Sequence, residues 1–242
     1  MALLQLQSVS KSYGALQVIQ DVSFSVEEGQ TLGILGPNGA GKTTLFNLIS
    51  GDVACDSGQV IYAGRDITLE PAHQRCRSGI GRSYQVPQPF GNMTVFENLV
   101  TAACFGGGQT ERAAWETAYQ VLALTGLLKQ ANDPAGSLTL LNRKRLELAR
   151  ALATSPKLLL LDEIAGGLTV HEAHELLDEL QRIKASGVTM IWIEHVVHAL
   201  LSIADRLMVI NFGTLLAQGS PHDVMNDPQV QRVYMGLEVV PA

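Results

Sequence analysis

From Gly36 to Thr44 the chain reads Gly-Pro-Asn-Gly-Ala-Gly-Lys-Thr-Thr, a complete G-x-x-x-x-G-K-[ST] pattern, and it restricts the fold more than any other stretch. Such a loop works only between a buried strand and the N-terminus of a helix, because its backbone N–H groups must converge on a phosphate. Upstream, Thr31-Leu-Gly-Ile-Leu35 reads as a short buried strand; downstream, Thr44-Leu-Phe-Asn-Leu-Ile49 reads as an apolar-faced helix. Gly36, Pro37, Asn38, Gly39, Ala40, Gly41, Lys42, Thr43 and Thr44 are therefore assigned to nucleotide binding. Lys42 would reach the β- and γ-phosphates and the Thr43 hydroxyl would ligate Mg²⁺.

A phosphate loop predicts an α/β chain, and the flanking patterns agree. Leu3 to Val9, Val22 to Val26 and Gln59 to Tyr62 alternate apolar and polar residues, as half-buried antiparallel strands do. Helical spacing runs from about Thr94 to Gly126, with Phe105-Gly-Gly-Gly108 expected as a flexible break, and resumes from Asn142 to Ala153. Lys157-Leu-Leu-Leu-Leu-Leu-Asp162 is a buried strand ending in acid. An amphipathic helix from His171 to Ala185 and a strand from Val188 to Ile193 follow. A strand pair, Arg206 to Ile210 and Thr214 to Ala217, turns at Asn211-Phe-Gly213. Short helices are expected from Ser220 to Leu237, with Ser220 as cap and Pro221 in the first turn.

Asp162 and Glu163 are the acid pair expected at a strand end beside a phosphate loop. Asp162 would hold Mg²⁺ through water, and Glu163 would polarise the attacking water as catalytic base. His195, just past a strand, could hydrogen-bond a γ-phosphate, whereas His198 is read as surface. The His171-Glu-Ala-His174-Glu175 cluster lacks the spacing of a zinc helix and reads as a solvated face.

At 242 residues one large α/β domain is expected, and the net charge of −6 without a block of like sign argues against nucleic acid as a partner. Cys55, Cys76 and Cys104 are odd in number, which favours reduced thiols and the cytosol. There is no signal-like N-terminus and no window of eighteen uninterrupted apolar residues, so the chain is not expected to span a membrane.

With these motifs the chain resembles, from about Leu4 to Leu237, the ATP-binding subunits of ABC transporters. The resemblance implies a P-loop NTPase core with an antiparallel β subdomain and a helical subdomain inserted at about 67–152. It implies ATP with Mg²⁺ as cofactors. Tyr13 matches the aromatic that stacks on adenine, Gln85 the glutamine that touches Mg²⁺ and the attacking water, and His195 the switch histidine. Gly79 to Asn98, Arg143 to Ala153 and Val230 to Gly236 are similar to the branched-chain amino acid importer ATPases, though the ATPases of lipopolysaccharide extraction share a similar tail and length. The implied partners are transmembrane permease subunits, a second ATPase subunit and a solute-binding protein. The implied location is peripheral, on the cytoplasmic face of the inner membrane. Phe90, Met93, Val95 and Phe96 are expected either to receive a permease helix or to form ordinary core.

Two segments depart from that family's pattern. Its signature reads Leu-Ser-Gly-Gly-Gln, but here Leu138 is followed by Thr139, Leu140, Leu141 and Asn142. Thr139 keeps the hydroxyl, while leucines replace both glycines that let the backbone approach ATP on the other subunit. After Glu163 the usual proline is missing, and Thr169 stands where an aspartate often lies at the dimer seam. An asymmetric heterodimer is expected, with tolerated drift in a working loop as the alternative. A nucleotide-gated regulatory subunit with weak hydrolysis is a second reading and a soluble small-molecule kinase a third.

Overall fold

The computed structural model describes residues 2–235. In chain order the elements are β1 (Ala2–Tyr13), β2 (Leu16–Glu27), β3 (Thr31–Leu35), α1 (Lys42–Ser50), β4 (Ser57–Tyr62), β5 (Arg65–Asp66), α2 (Ala72–Arg77), β6 (Ile80–Arg82), α3 (Val95–Thr101), α4 (Glu111–Leu124), α5 (Leu140–Ala153), β7 (Leu158–Asp162), α6 (Val170–Ala185), β8 (Thr189–Ile193), α7 (Val197–Ile203), β9 (Arg206–Asn211), β10 (Thr214–Gly219), α8 (Pro221–Met225) and α9 (Pro228–Met235). Two compact units result. One takes the chain up to Pro71 and from Ile191 onward, and the other runs from Ala72 to Met190.

In the first unit, alternation in sequence becomes a one-sided sheet. Leu4, Leu6, Val22, Phe24 and Val26 point inward while Gln7 and Ser23 face out, in an antiparallel sheet of order β2-β1-β4-β5. Tyr13 opposite Leu16 closes the β1–β2 hairpin. β3 is buried throughout and pairs in parallel with β9, which turns antiparallel into β10 through Phe212 (φ 45°) and Gly213 (φ 76°). Ser220 caps α8 by accepting from the Asp223 N–H, with Pro221 in the first turn. Of the expected C-terminal helical stretch, Gly236 and Leu237 lie outside the described residues.

In the second unit, threonines start four helices, because a hydroxyl can satisfy a first-turn N–H that has no partner within the helix. They are Thr94 before α3, Thr110 before α4, Thr139 before α5 and Thr169 before α6. β6 runs parallel to β7, with Arg82 opposite Leu160. The expected break at Phe105–Gly108 does separate two helices: residues 107–110 are non-helical, with Gly108 at φ 67°, before α4 begins at Glu111. The chain continues from α3 through a π-helical turn, Ala102–Gly106. Its glycines serve close packing, since a Cβ on Gly106 would sit 2.7 Å from the Thr154 methyl and one on Gly107 2.8 Å from the Ala103 carbonyl oxygen. Val95 is fully buried and belongs to the core, so it cannot receive a partner; Phe90 and Met93 are exposed, and Phe96 packs edge-to-face on Trp115 with centroids 5.9 Å apart. Among the described residues no helix is long and apolar enough to cross a membrane.

Candidate active site

The first unit carries the phosphate loop. β3 delivers the chain into it and α1 leaves from it, with Gly41 at the helix N-cap in a left-handed conformation, φ 101°. A Cβ on Gly41 would lie 2.7 Å from the Val18 carbonyl oxygen and 2.8 Å from Ile19 Cδ1, so β2 presses on the loop where only glycine fits. Ala40 is held from the other side, its carbonyl accepting from the Gly213 N–H at 3.0 Å. Lys42 is buried, and its ammonium donates to the Gly36 carbonyl at 2.7 Å and the Pro37 carbonyl at 3.1 Å. Asn38, Gly39 and Thr43 are exposed. The first turn of α1 holds no acidic side chain, so its N–H groups and dipole are set for an anion.

Tyr13 stands at the tip of the β1–β2 hairpin, 48% exposed, with the Lys11 ammonium 5.6 Å from its ring centroid. His195 is exposed two residues beyond β8, and its backbone N–H donates to the Glu194 carboxylate at 2.9 Å. His198 is exposed.

The second unit carries the acid pair, and here the structure brings several of the expected residues together. Glu163 leaves β7 with φ 48°, in the left-handed region. Its carboxylate accepts from Gln85 Nε2 at 2.7 Å. The parallel register of β6 on β7 makes that contact possible, because Gln85 follows β6 by three residues as Glu163 follows the strand opposite. Asp162 is buried and pairs with Arg82, whose Nη2 lies 3.1 Å from Oδ2. From α5, Lys144 donates to the Glu163 carbonyl at 3.4 Å. Further along the same helix, Arg150 donates to the Gln88 carbonyl and to the Glu147 carboxylate, each at 2.9 Å. Burial pushes the Glu147 carboxyl above its ordinary range, against the pull of Arg150 and of backbone N–H donors at Gln88 and Tyr84. The helix after the signature positions thus grips the segment after Gln85.

Thr139 is the N-cap of α5, its hydroxyl accepting from the Asn142 N–H at 3.4 Å. Leu140 and Leu141 form the first helical turn, Leu140 half-exposed and Leu141 buried. Neither has a positive φ, so this backbone path does not itself require glycine.

Arg82, Lys144 and the capping role of Thr169 were not read from the sequence. Thr169 and Glu172 form a reciprocal capping box, and T-x-x-E before an amphipathic run was the available signal. Arg82 carried a signal only if Gly79 to Arg82 was taken as a strand beside β7. In the first unit the Thr43 hydroxyl, and in the second the Asp162 carboxylate and the Gln85 amide oxygen, are each donors of the kind that suit Mg²⁺, a hard cation held by few protein oxygens plus phosphates. Among the described residues no group of three or more His, Cys, Asp or Glu could hold a metal by itself.

A phosphate loop between strand and helix, in a chain that also ends a buried strand in two acids, defines an α/β nucleotide-binding protein. The ABC transporter family pattern matches residues 19–166, and that of the branched-chain amino acid ATP-binding cassette transporter matches residues 214–239. The probable branched-chain amino acid transport ATP-binding protein LivG of Archaeoglobus fulgidus is 34% identical over 249 residues, covering 98% of this chain and 97% of that protein. The lipopolysaccharide export system ATP-binding protein LptB of Haemophilus influenzae is also 34% identical, over 236 residues and 98% of each chain. Among solved structures, the ADP conformation of an ATP-binding cassette of an ABC transporter superposes with a TM-score of 0.87 at 32% identity, over 98% of this chain and all of that one. The chain belongs to the ABC transporter family, as an ATP-hydrolysing cassette.

Proposed function

We propose that this cassette powers the import of branched-chain or other amino acids, or of small amides. The observation that carries this reading is the match of residues 214–239 to the branched-chain amino acid transporter pattern. Relatives alone do not decide, because LivG and LptB proteins stand at the same identity. The cassette is a single nucleotide-binding domain over residues 4–237, with its helical subdomain inserted at about 67–152. It works peripherally on the cytoplasmic face of the membrane, with permease subunits, a second ATPase subunit and a solute-binding protein.

In this reading the loop from Gly36 to Thr44 takes the β- and γ-phosphates of ATP, and Lys42 exchanges its bonds to the loop carbonyls for phosphate oxygens. Tyr13, aromatic and exposed, stacks on the adenine. Thr43 and Gln85, with Asp162 through water, would hold Mg²⁺, which would neutralise charge on the transferring phosphoryl group. Glu163 accepts a proton from the attacking water, and Gln85, already bonded to that carboxylate, orients it. His195 donates to the γ-phosphate. Closure of two subunits around ATP moves the permease, and hydrolysis reopens them.

The test uses the native membrane complex recovered through the tagged chain and placed in proteoliposomes. ATP turnover stimulated by leucine-class amino acids, and abolished by Glu163→Gln while ATP binding persists, supports the proposal. Stimulation by lipopolysaccharide would move the chain to export. Binding without turnover in any complex would make it the regulatory subunit.

A further inference from the structure

Asp162 ends a strand that is buried throughout, and it is itself 4% exposed. A carboxylate in that position needs a counter-charge, since an uncompensated buried ion is strongly unfavourable. Arg82 supplies it: Nη2 and Oδ2 are 3.1 Å apart and both side chains are 6% exposed. The site is built for a guanidinium. Parallel pairing of β6 on β7 fixes Arg82 opposite Leu160, the Ser83 N–H donates to the Leu160 carbonyl at 2.9 Å, and the Tyr84 ring covers the guanidinium at 4.8 Å from its centroid.

We infer that Arg82 is a positioning residue that serves as the built-in counter-charge of Asp162, and that the divalent cation takes over this role, so Arg82 sets how tightly the cassette holds its metal. The inference rests on the reading of Asp162 as the carboxylate facing Mg²⁺. Arginine stays charged at any working pH. It therefore stabilises Asp162 when no cation is bound and repels an arriving dication through the same low-dielectric surroundings. Removing it destabilises the cation-free form more than the cation-bound form. Linkage then requires the variant to bind the cation more tightly, by the factor that separates the two destabilisations.

The experiment measures Mn²⁺ binding by electron paramagnetic resonance at saturating ADP, alongside thermal unfolding with and without Mn²⁺. The full-length chain is used in its native, Arg82→Met, Arg82→Gln and Arg82→Lys forms. The two neutral variants should bind Mn²⁺ about fivefold more tightly or better, melt lower than the native chain without metal, and recover most of that loss with it. Arg82→Gln retains one donor to Asp162 and serves where Arg82→Met does not fold. Arg82→Lys keeps the charge and should stay near the native affinity. Unchanged or weaker Mn²⁺ binding in the neutral variants, with melting lowered equally in both conditions, would overturn the inference and leave Arg82 a plain structural pair. Asp162→Asn separates the two layers. If it leaves Mn²⁺ binding intact, the reading of Asp162 fails and this inference with it; if it weakens binding while Arg82→Met does not strengthen it, only the inference fails.

Discussion

Two glycines of the phosphate loop share a left-handed backbone and differ in what surrounds them. A Cβ added to Gly39, at φ 80°, would have nothing within 4 Å, whereas one on Gly41, at φ 101°, would meet the Val18 carbonyl oxygen and Ile19. Gly39→Ala adds only backbone strain, about 1 kcal/mol. Gly41→Ala adds a clash with backbone that cannot yield, and we expect roughly 3 kcal/mol of lost stability with weakened ATP binding. Urea unfolding of the two variants side by side checks the ranking, and equal losses would refute it. The loop was legible because all its parts are local: spacing and glycine chemistry carry the information within nine residues, Gly36 to Thr44. Arg82 was not legible, because its partner lies 80 positions away and becomes a neighbour only through strand register.

Helix α6 shows what a cap and a buried pair do for an element. Glu172 accepts from the Thr169 N–H at 2.8 Å and from its hydroxyl at 2.7 Å, and these bonds hold its carboxyl below the ordinary value of 4.5. A carboxyl with a depressed folded-state value contributes stability that is present above its unfolded value and is lost as pH falls through the folded one. Thr169→Ala should therefore melt below the native chain at neutral pH, with the gap narrowing as the pH drops below 4.5. A gap independent of pH would mean that the box carries none of the cap's effect. Farther along, Arg145 of α5 donates to Glu175 and to Glu179, both at 2.8 Å, with the Glu179 side chain 3% exposed. Arg145→Leu strands Glu179 as a buried charge and should cost about 3 kcal/mol, most of it recovered in Arg145→Leu/Glu179→Leu. Chemical denaturation of the single and double variants measures this directly. Buried strands were readable from short apolar runs, as β3 and β7 show, and the amphipathic helix α6 from its apolar periodicity. The glycine run at 106–108 was readable as the end of one helix before the next, but composition could not show that Gly106 and Gly107 also admit close neighbours.

For the assembled transporter, the signature segment decides most. Glycine is not needed for the path of the Thr139–Leu141 backbone within this chain, because the segment is the cap and first turn of α5 and its residues avoid positive φ. Any demand for glycine must come from outside, from a phosphate brought close by another subunit. This is the physical basis for proposing unequal sites: the chain keeps the phosphate-loop pattern, Glu163 and His195, while Leu140 and Leu141 stand where the family pattern has the two glycines. Leu140 is half-exposed, so Leu140→Gly costs only about 1 kcal/mol of helix propensity. Leu141 is buried, and its removal would also open a cavity. Leu140→Gly is thus the informative change. If a leucine side chain is what bars the γ-phosphate of the facing subunit, the purified chain alone should turn over ATP slowly, and Leu140→Gly should raise that rate by about tenfold, below what a single donor to transferring charge contributes at full strength. In the complex with a second ATPase subunit of intact signature, the same substitution should change the rate far less, because the active site there already borrows its signature from the partner. Steady-state ATP hydrolysis of the two forms, alone and in the complex, provides the comparison. Equal turnover at both sites of the unmodified homodimer, with no gain from Leu140→Gly, would show that the leucines are tolerated in a working loop and that the pair need not be asymmetric.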